Sequence, residues 1–225
     1  MRAVDGDAAV VAVGAVAAVL CIANWWSRRP ADDADRRHSL ETVTKPLATI
    51  ALAALAVVSA TARGDAPTGA VIAATVAFAL CLGGDVALLP QVDRFVIGLA
   101  SFLAGHVAFV VMFVLLGLDR LELALPALVG VAIVALTVGR RIVAGAARSS
   151  RSLVRPVQAY LAVICSMAVV GWATGRPAAI VGSALFVASD SVLGWNRFVG
   201  QRHWMPVAVM GTYHGALGGL ALSLR

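Results

Sequence analysis

The sequence predicts an all-α membrane protein, a polytopic bundle of about eight transmembrane helices. Two observations carry this prediction. The chain has 225 residues, of which 60% are hydrophobic and only 13% are charged, whereas soluble domains carry about 25% charged residues. Its apolar residues also fall in long runs, close to the roughly 20 residues that a helix needs to cross the hydrocarbon core. This composition excludes both a water-exposed globule and a disordered chain.

Eight apolar runs are candidate spans, and no soluble domain fits between them. We therefore expect a single membrane domain over 1–225. The predicted spans are 8–26, 45–62, 68–89, 94–117, 121–139, 156–173, 178–194 and 204–223. The longest connections, 27–44 and 140–155, are polar or basic, and we expect them to lie outside the spans.

The basic residues predict the orientation of the bundle. Thirteen of the 18 Lys and Arg residues fall after the first, third, fifth and seventh spans, so this side is predicted to be cytoplasmic, with both termini outside. This asymmetry accounts for the net charge of +6, and no nucleic-acid partner is needed to explain it. We expect a multi-pass protein of the cell membrane, surrounded by membrane lipids, and the Ala, Val and Arg bias indicates a bacterial chain.

A short pattern occurs twice along the chain. Ala-Leu-x-x-x-small-Asp-x-x-Leu ends in Asp85 and Leu88 in the third span, and in Asp190 and Leu193 in the seventh. A basic residue followed by proline precedes each copy, at Lys45 and at Arg155. The offset of four spans predicts a parallel four-plus-four repeat with halves 1–117 and 118–225, in which the two aspartates face a shared cavity. Chance similarity between short patterns is the alternative.

Asp85 and Asp190 are the acidic residues that lie well inside apolar runs, where charge is costly and marks function. Both are predicted about one turn from the cytoplasmic boundary, so they either form one site or each pair with a neighbouring helix. Lys45 is the only lysine, and Pro46 would place it at the start of a helix. It either pairs with a buried carboxylate, binds a phosphate, or snorkels to the surface.

Other polar residues sit at membrane depth. His106 follows Ser101 and Gly105, whose spacing permits close helix approach, and Tyr160 could line the same cavity. Tyr213 and His214 lie among glycines, which favours a packing face. Ser189 has no histidine at a recognisable spacing, which argues against a serine hydrolase. Walker, HExxH and CxxC motifs are missing, so we expect neither a metal nor a cofactor.

At these residues the sequence resembles the YhhN-like family of lysoplasmalogenases. The motifs that carry the resemblance are Thr44-Lys45-Pro46-Leu47, Leu82-Gly83-Gly84-Asp85, Phe102-Leu103-Ala104-Gly105-His106, Ala188-Ser189-Asp190 and Thr212-Tyr213. The resemblance implies a membrane hydrolase that cleaves the vinyl ether of a lysophospholipid substrate. It also implies that Asp85 and Asp190 are catalytic. Residues expected to bind substrate or support this pair are Lys45, His106, Tyr160, Tyr213, Ser189 and Asn196, with Arg155 as a further candidate for the phosphate.

Vinyl ether hydrolysis suits two carboxyl groups. One carboxylic acid protonates carbon and one carboxylate stabilises the oxocarbenium ion, a division of labour also used by glycosidases. The sequence leaves open which aspartate is the acid. The rival hypotheses are a small proton-coupled transporter and a lipid-binding protein without catalysis. A continuous polar path to the outer side would favour transport, whereas a cavity open only at the cytoplasmic end would favour the enzyme.

Overall fold

The structure, a computed structural model, describes residues 2–28 and 34–225, except for the side chains of residues 2–5, 34–38 and 63. The described residues form helices and no strand, as the sequence predicts. The helices are α1 (Arg2–Ser27), α2 (Ala34–Arg63), α3 (Thr68–Ala87), α4 (Phe95–Leu116), α5 (Ala124–Val134), α6 (Arg140–Ser149), α7 (Val154–Ala173), α8 (Pro177–Phe198) and α9 (Met205–Leu222). A π-helical turn, Ala135–Gly139, joins α5 to α6, and three-residue 3₁₀ turns precede α5 and α7.

Within the described part of the chain, seven helical segments are long and apolar enough to cross a membrane, so the chain is a multi-pass membrane protein. These segments are Gly6–Ser27, Ser39–Ala62, Thr68–Ala87, Phe95–Leu116, Leu121–Ser149, Arg151–Ala173 and Pro177–Phe198. Seven of the eight predicted spans correspond to them. The eighth forms α9, which is not one of the seven, because Tyr213, His214 and several glycines lower its mean hydropathy.

The described parts of two predicted connections are largely helical, and here the sequence-based boundaries were wrong. Helix α2 begins at Ala34, so Pro46 lies inside the helix and not at its first position. An internal proline removes one backbone hydrogen bond, a loss that packing and side-chain hydrogen bonds offset in membrane helices. Beyond the fifth span, α6 continues the helix because Ile142 is buried on one face while Arg140 and Arg141 are exposed on the other.

Small residues set the closest helix contacts. Between α3 and α4, the hydroxyl of Ser101 donates a hydrogen bond to the carbonyl of Leu80 at 2.6 Å. A Cβ on Gly105 would lie 3.3 Å from the carbonyl of Ala77, which confirms the predicted close approach. Between α8 and α9, a Cβ on Gly219 would lie 2.8 Å from the Cα of Gly182. One face of α9 is therefore the packing face that its glycines predict.

The helix pairs of the two halves correspond. In the first half α1 packs on α2 and α3 packs on α4, while in the second α5 packs on α7 and α8 packs on α9. Between the halves, α2 packs on α9 and α7 packs on α4. Each of these contacts has a counterpart in the other half, which is the arrangement that a parallel repeat would produce. The repeat itself stays a prediction.

The centre of the bundle has a polar end and an apolar end. Aromatic and sulfur side chains fill the apolar end, and the largest of them, Phe78, Phe109, Met112, Phe113 and Phe186, are almost fully buried. Phe78 and Phe109 pack edge to face, with ring centroids 5.6 Å apart. The polar end lies where α3 and α8 finish and where α2, α4, α7 and α9 begin, so these six helices position the candidate site.

Candidate active site

The carboxylate of Asp85 is held by groups from two other helices. Thr49 of α2 and Tyr213 of α9 each donate a hydroxyl hydrogen bond to its Oδ2, at 2.6 Å and 2.8 Å. The side chain of Asp85 is 1% exposed. Such a buried carboxylate requires several donors, because an unsatisfied charge in the apolar interior is costly. Tyr213 thus contacts Asp85 from the glycine-rich helix, for which the residue pattern favoured a packing face and the family resemblance implied a supporting role.

Lys45 completes the surroundings of Asp85. Its ammonium lies 3.3 Å from Oδ1 of Asp85 and donates a hydrogen bond to the backbone carbonyl of the same residue at 3.2 Å. The lysine side chain is 6% exposed, which contradicts the snorkelling alternative. Of the interpretations that the sequence left open, the structure supports pairing with a buried carboxylate. Asp85 and Lys45 form a buried ion pair.

Asp190 has a different environment. Tyr160 of α7 donates its hydroxyl hydrogen bond to Oδ2, and Nε2 of His106 lies 3.7 Å from the same oxygen. Among the ion pairs of the described residues, none joins Asp190 to a lysine or an arginine. Its side chain is 10% exposed. His106 lies between the rings of Tyr160 and Phe186, with centroids 5.3 Å and 4.5 Å away. Asp190 is therefore the more accessible carboxyl group, and no lysine or arginine of the described residues pairs with it.

The two aspartates occupy corresponding positions in the helix arrangement. Each is contacted by the helix before it, α2 or α7, and by the last helix of the other half, α9 or α4. The correspondence fails for the basic residues. Lys45 is buried against Asp85, whereas Arg155, its counterpart in the sequence pattern, is exposed. Within the part of the chain that the structure describes, one aspartate therefore has a buried lysine as its partner and the other has neither a lysine nor an arginine.

Asp85 and Asp190 both line one cavity, which we call the polar compartment. It holds about 680 Å³ of empty space, including its open mouth. Its polar lining residues are Arg28, Glu41, Lys45, Asp85, Ser189, Asp190 and Tyr213. The structure thus brings together two aspartates that lie on different helices, as the sequence predicts. The compartment offers cations and carboxyl groups within one space.

A second cavity adjoins it, which we call the apolar compartment. It holds about 530 Å³ of empty space, including its open mouth, and is lined mainly by hydrophobic residues, among them Leu99, Ile142, Val157 and Leu161, with Arg197 as its one basic residue. Leu88, Phe102, Leu193 and Asp190 line both compartments. Asp190 is the one acidic residue among the described residues that line the apolar compartment. Because it also lines the polar compartment, its carboxyl group lies at the junction of the two cavities.

The remaining predicted residues divide into those near the site and those away from it. Ser189 lines the polar compartment and donates its hydroxyl to the carbonyl of Val209 at 3.1 Å. Asn196 and Arg155 line neither compartment. His214 points elsewhere, because its Nδ1 accepts a hydrogen bond from the Trp25 indole at 2.9 Å. Among the described residues, no group of three His, Cys, Asp or Glu is placed to hold a metal ion.

Sequence reasoning missed Arg28, Glu41 and Thr49. Arg28 and Glu41 contact each other at the outer part of the polar compartment, and Thr49 binds Asp85. The signal was present, because Glu41, Lys45 and Thr49 are four residues apart and therefore share one helix face. Placing the start of the helix at Lys45 hid this spacing, since Glu41 then fell in a connection.

Comparison with known proteins adds the family. No curated protein and no solved structure gives a significant match to the chain. Residues 40–224 match the YhhN family, and this range includes α3 to α9 and most of α2, hence both aspartates and the side chains that contact them. Since this match covers far more than half of the sequence, the chain belongs to the YhhN family.

Proposed function

We propose that this membrane protein is a hydrolase that cleaves the vinyl ether bond of lysoplasmalogens, releasing a fatty aldehyde and a glycerophospho-ethanolamine or -choline. The observation that carries the proposal is the position of Asp190 at the junction of the two compartments. A lysoplasmalogen has the same division, since its vinyl ether joins a long apolar chain to a charged glycerophospho group. Membership of the YhhN family agrees with such an activity.

In this proposal the alkenyl chain occupies the apolar compartment. This compartment is lined by Leu99, Ile142, Val157 and Leu161. Burying an apolar chain there contributes a binding free energy of about 25 cal/mol for each Å² of apolar surface removed from water. The glycerophospho group occupies the polar compartment, where Lys45 and Arg28 supply cations for the phosphate. The vinyl ether then lies beside Asp190.

The surroundings of the two aspartates support different roles. Lys45 forms an ion pair with Asp85, and Thr49 and Tyr213 donate hydrogen bonds to it, so we assign it the role of the carboxylate. Asp190 has no lysine or arginine partner among the described residues and faces an apolar cavity. We therefore assign Asp190 the role of proton donor, a choice that the sequence left open.

The chemistry then runs in three steps. Asp190 transfers its proton to the vinyl carbon remote from the ether oxygen, which leaves an oxocarbenium ion and an Asp190 carboxylate. The negative charge of Asp85 stabilises this cation, and water adds to the oxygen-bearing carbon while giving a proton back to Asp190. The resulting hemiacetal collapses, with the carbon–oxygen bond to glycerol breaking, to a fatty aldehyde and a glycerol hydroxyl.

The apolar end of the bundle argues against the transport alternative. Beyond His106, Phe109, Phe113 and Phe186 are fully buried and pack together. None of these three residues lines either compartment. Access at one end only is what a lipid hydrolase requires, whereas a transporter needs a path to both sides.

An aldehyde assay tests the proposal. Purified protein in detergent receives a lysoplasmenyl-ethanolamine or its saturated-ether analogue, and released fatty aldehyde is quantified. We expect aldehyde from the vinyl ether only, and a loss of at least about 100-fold in Asp190→Asn and in Asp85→Asn. Asp65→Asn, at an exposed position in the connection after α2, is the matched control and should keep full activity.

The outcomes separate the site from the activity. Aldehyde release that survives in both aspartate variants would remove these residues from the chemistry. A folded wild-type protein that binds the lysolipid and releases no aldehyde would contradict hydrolysis and favour the non-catalytic, lipid-binding hypothesis.

A further inference from the structure

The polar compartment contains a carboxylate, that of Glu41, which the proposed function does not use. Arg28, at the end of α1, contacts Glu41 of α2, and their side chains are only 16% and 11% exposed. Both line the compartment together with Lys45 and Asp85. A carboxylate placed next to two cations is not expected of a cavity that binds phosphate alone, because it weakens the attraction for an anion.

The order of the charges along α2 gives Glu41 a position relative to the reacting bond. Glu41, Lys45 and Thr49 follow one another at intervals of four residues, which is about 6 Å along a helix axis. Thr49 binds the carboxylate of Asp85. Along α2 toward its N-terminus, Lys45 lies four residues from Thr49, and Glu41 lies eight residues from it. Moving outward from Asp85, the compartment therefore presents a cation and then an anion.

A zwitterionic lysophospholipid headgroup presents the complementary order. Outward from the glycerol it has a phosphate and then an ammonium group. We propose that Arg28 and Lys45 bind the phosphate and that Glu41 binds the ammonium, so that Glu41 selects zwitterionic headgroups over anionic ones. The buried Nε of Arg28 has no hydrogen-bond partner among the described residues, which leaves the guanidinium with donor capacity for a phosphate oxygen.

This inference rests on the proposed function for the direction in which the lipid lies. The competing explanation is that the Arg28–Glu41 pair only ties α1 to α2. A structural tie affects every ligand equally, whereas a headgroup site changes the ratio between ligands. The test therefore compares two headgroups that share a phosphodiester and differ in the ammonium.

The experiment measures equilibrium binding of saturated-ether lysolipids, which cannot be cleaved, to the full-length protein in detergent. One lysolipid carries phosphoethanolamine and the other phosphoglycerol. We expect the wild type to prefer phosphoethanolamine about tenfold, which is about 1.4 kcal/mol. Glu41→Gln should bring the ratio close to one through loss of phosphoethanolamine affinity. Glu122→Gln, which alters an exposed Arg–Glu pair elsewhere, should keep the wild-type ratio.

A third ligand tests the inference without any variant. N-acetylation of the phosphoethanolamine removes its positive charge and retains the phosphate, so we expect wild-type affinity to fall about tenfold. Equal affinity for the free and acetylated amines would overturn the inference, as would a Glu41→Gln protein that keeps the wild-type ratio.

Two further measurements distinguish a failure of the headgroup site from a failure of the proposed hydrolysis. Soluble glycerophosphoethanolamine should compete at least about tenfold more weakly than the lysolipid, because it leaves the apolar compartment empty. Competition of equal strength would overturn a lipid as the occupant. A protein that discriminates headgroups but releases no aldehyde from the vinyl ether would keep the headgroup site and lose only the proposed hydrolysis.

Discussion

Two ion pairs in this protein share a nitrogen–oxygen distance of 3.3 Å and differ in exposure. The side chains of Lys45 and Asp85 are 6% and 1% exposed, whereas those of Arg120 and Glu122 are 66% and 64% exposed. Distance is thus held constant while burial changes. We predict that Lys45→Met strongly destabilises the fold, whereas Arg120→Met leaves it unchanged.

The expected size of the effect follows from the geometry of Lys45 and Asp85. At 3.3 Å and an effective dielectric of about 20, the attraction between the charges is about 5 kcal/mol. Removing the lysine leaves a buried carboxylate without a cation, a change that costs about 3–5 kcal/mol in proteins. For a chain of this size, this corresponds to a fall of about 6–20 °C in Tm. The double variant Lys45→Met/Asp85→Asn removes both charges and should recover most of the loss.

Thermal unfolding in detergent, followed by tryptophan fluorescence, measures the two single variants, the double variant and Arg120→Met. The quantity of interest is the coupling between positions 45 and 85, which the double-mutant cycle isolates. A double variant with a Tm as low as that of Lys45→Met would refute the reasoning. So would a Tm for Arg120→Met that falls as far as the Tm for Lys45→Met.

Two further predictions concern space. A Cβ on Gly194 would lie 2.9 Å from Cδ1 of Ile142 in the wall of the apolar compartment. Gly194→Val should therefore lower kcat/KM at least about tenfold for long-chain lysoplasmalogens and leave kcat/KM for short-chain ones unchanged. Equal losses of kcat/KM for both chain lengths would contradict this role. A Cβ on Gly182 would lie 2.9 Å from the backbone nitrogen of Leu220, so Gly182→Ala should destabilise the α8–α9 contact by about 1–3 kcal/mol. Gly211→Ala, with open space around it, is the control, and thermal unfolding in detergent distinguishes the two.

Hydropathy and charge patterning predicted the helical fold and which residues lie deep in it. The apolar runs located the helices because a membrane leaves few alternatives for backbone hydrogen bonding. The cost of burying charge singled out Asp85 and Asp190, and the repeated pattern around them predicted that they would meet. Both inferences depend on local sequence and on the physics of the bilayer, which a single chain displays directly.

The limits of the helices were less accessible to sequence reasoning. Charged residues mark where a helix leaves the hydrocarbon, but they do not end the helix, so α2 and α6 extend beyond their predicted spans. This error concealed Glu41. The pairing of Tyr213 with Asp85, and the position of Asn196 outside both compartments, depend on how α9 and α8 rotate about their axes. That rotation is set by packing between distant segments, which hydropathy does not encode.

The hydrogen-bond partners of the two aspartates have an evolutionary consequence. Asp85 takes Thr49 from its own half and Tyr213 from the other, while Asp190 takes Tyr160 from its own half and is approached by His106 from the other. A break in the connection between α4 and α5 would give two fragments, each with one carboxyl group and part of its surroundings. Neither fragment would assemble a complete centre, so a lineage that divided this gene would have to retain both products as an obligate heterodimer.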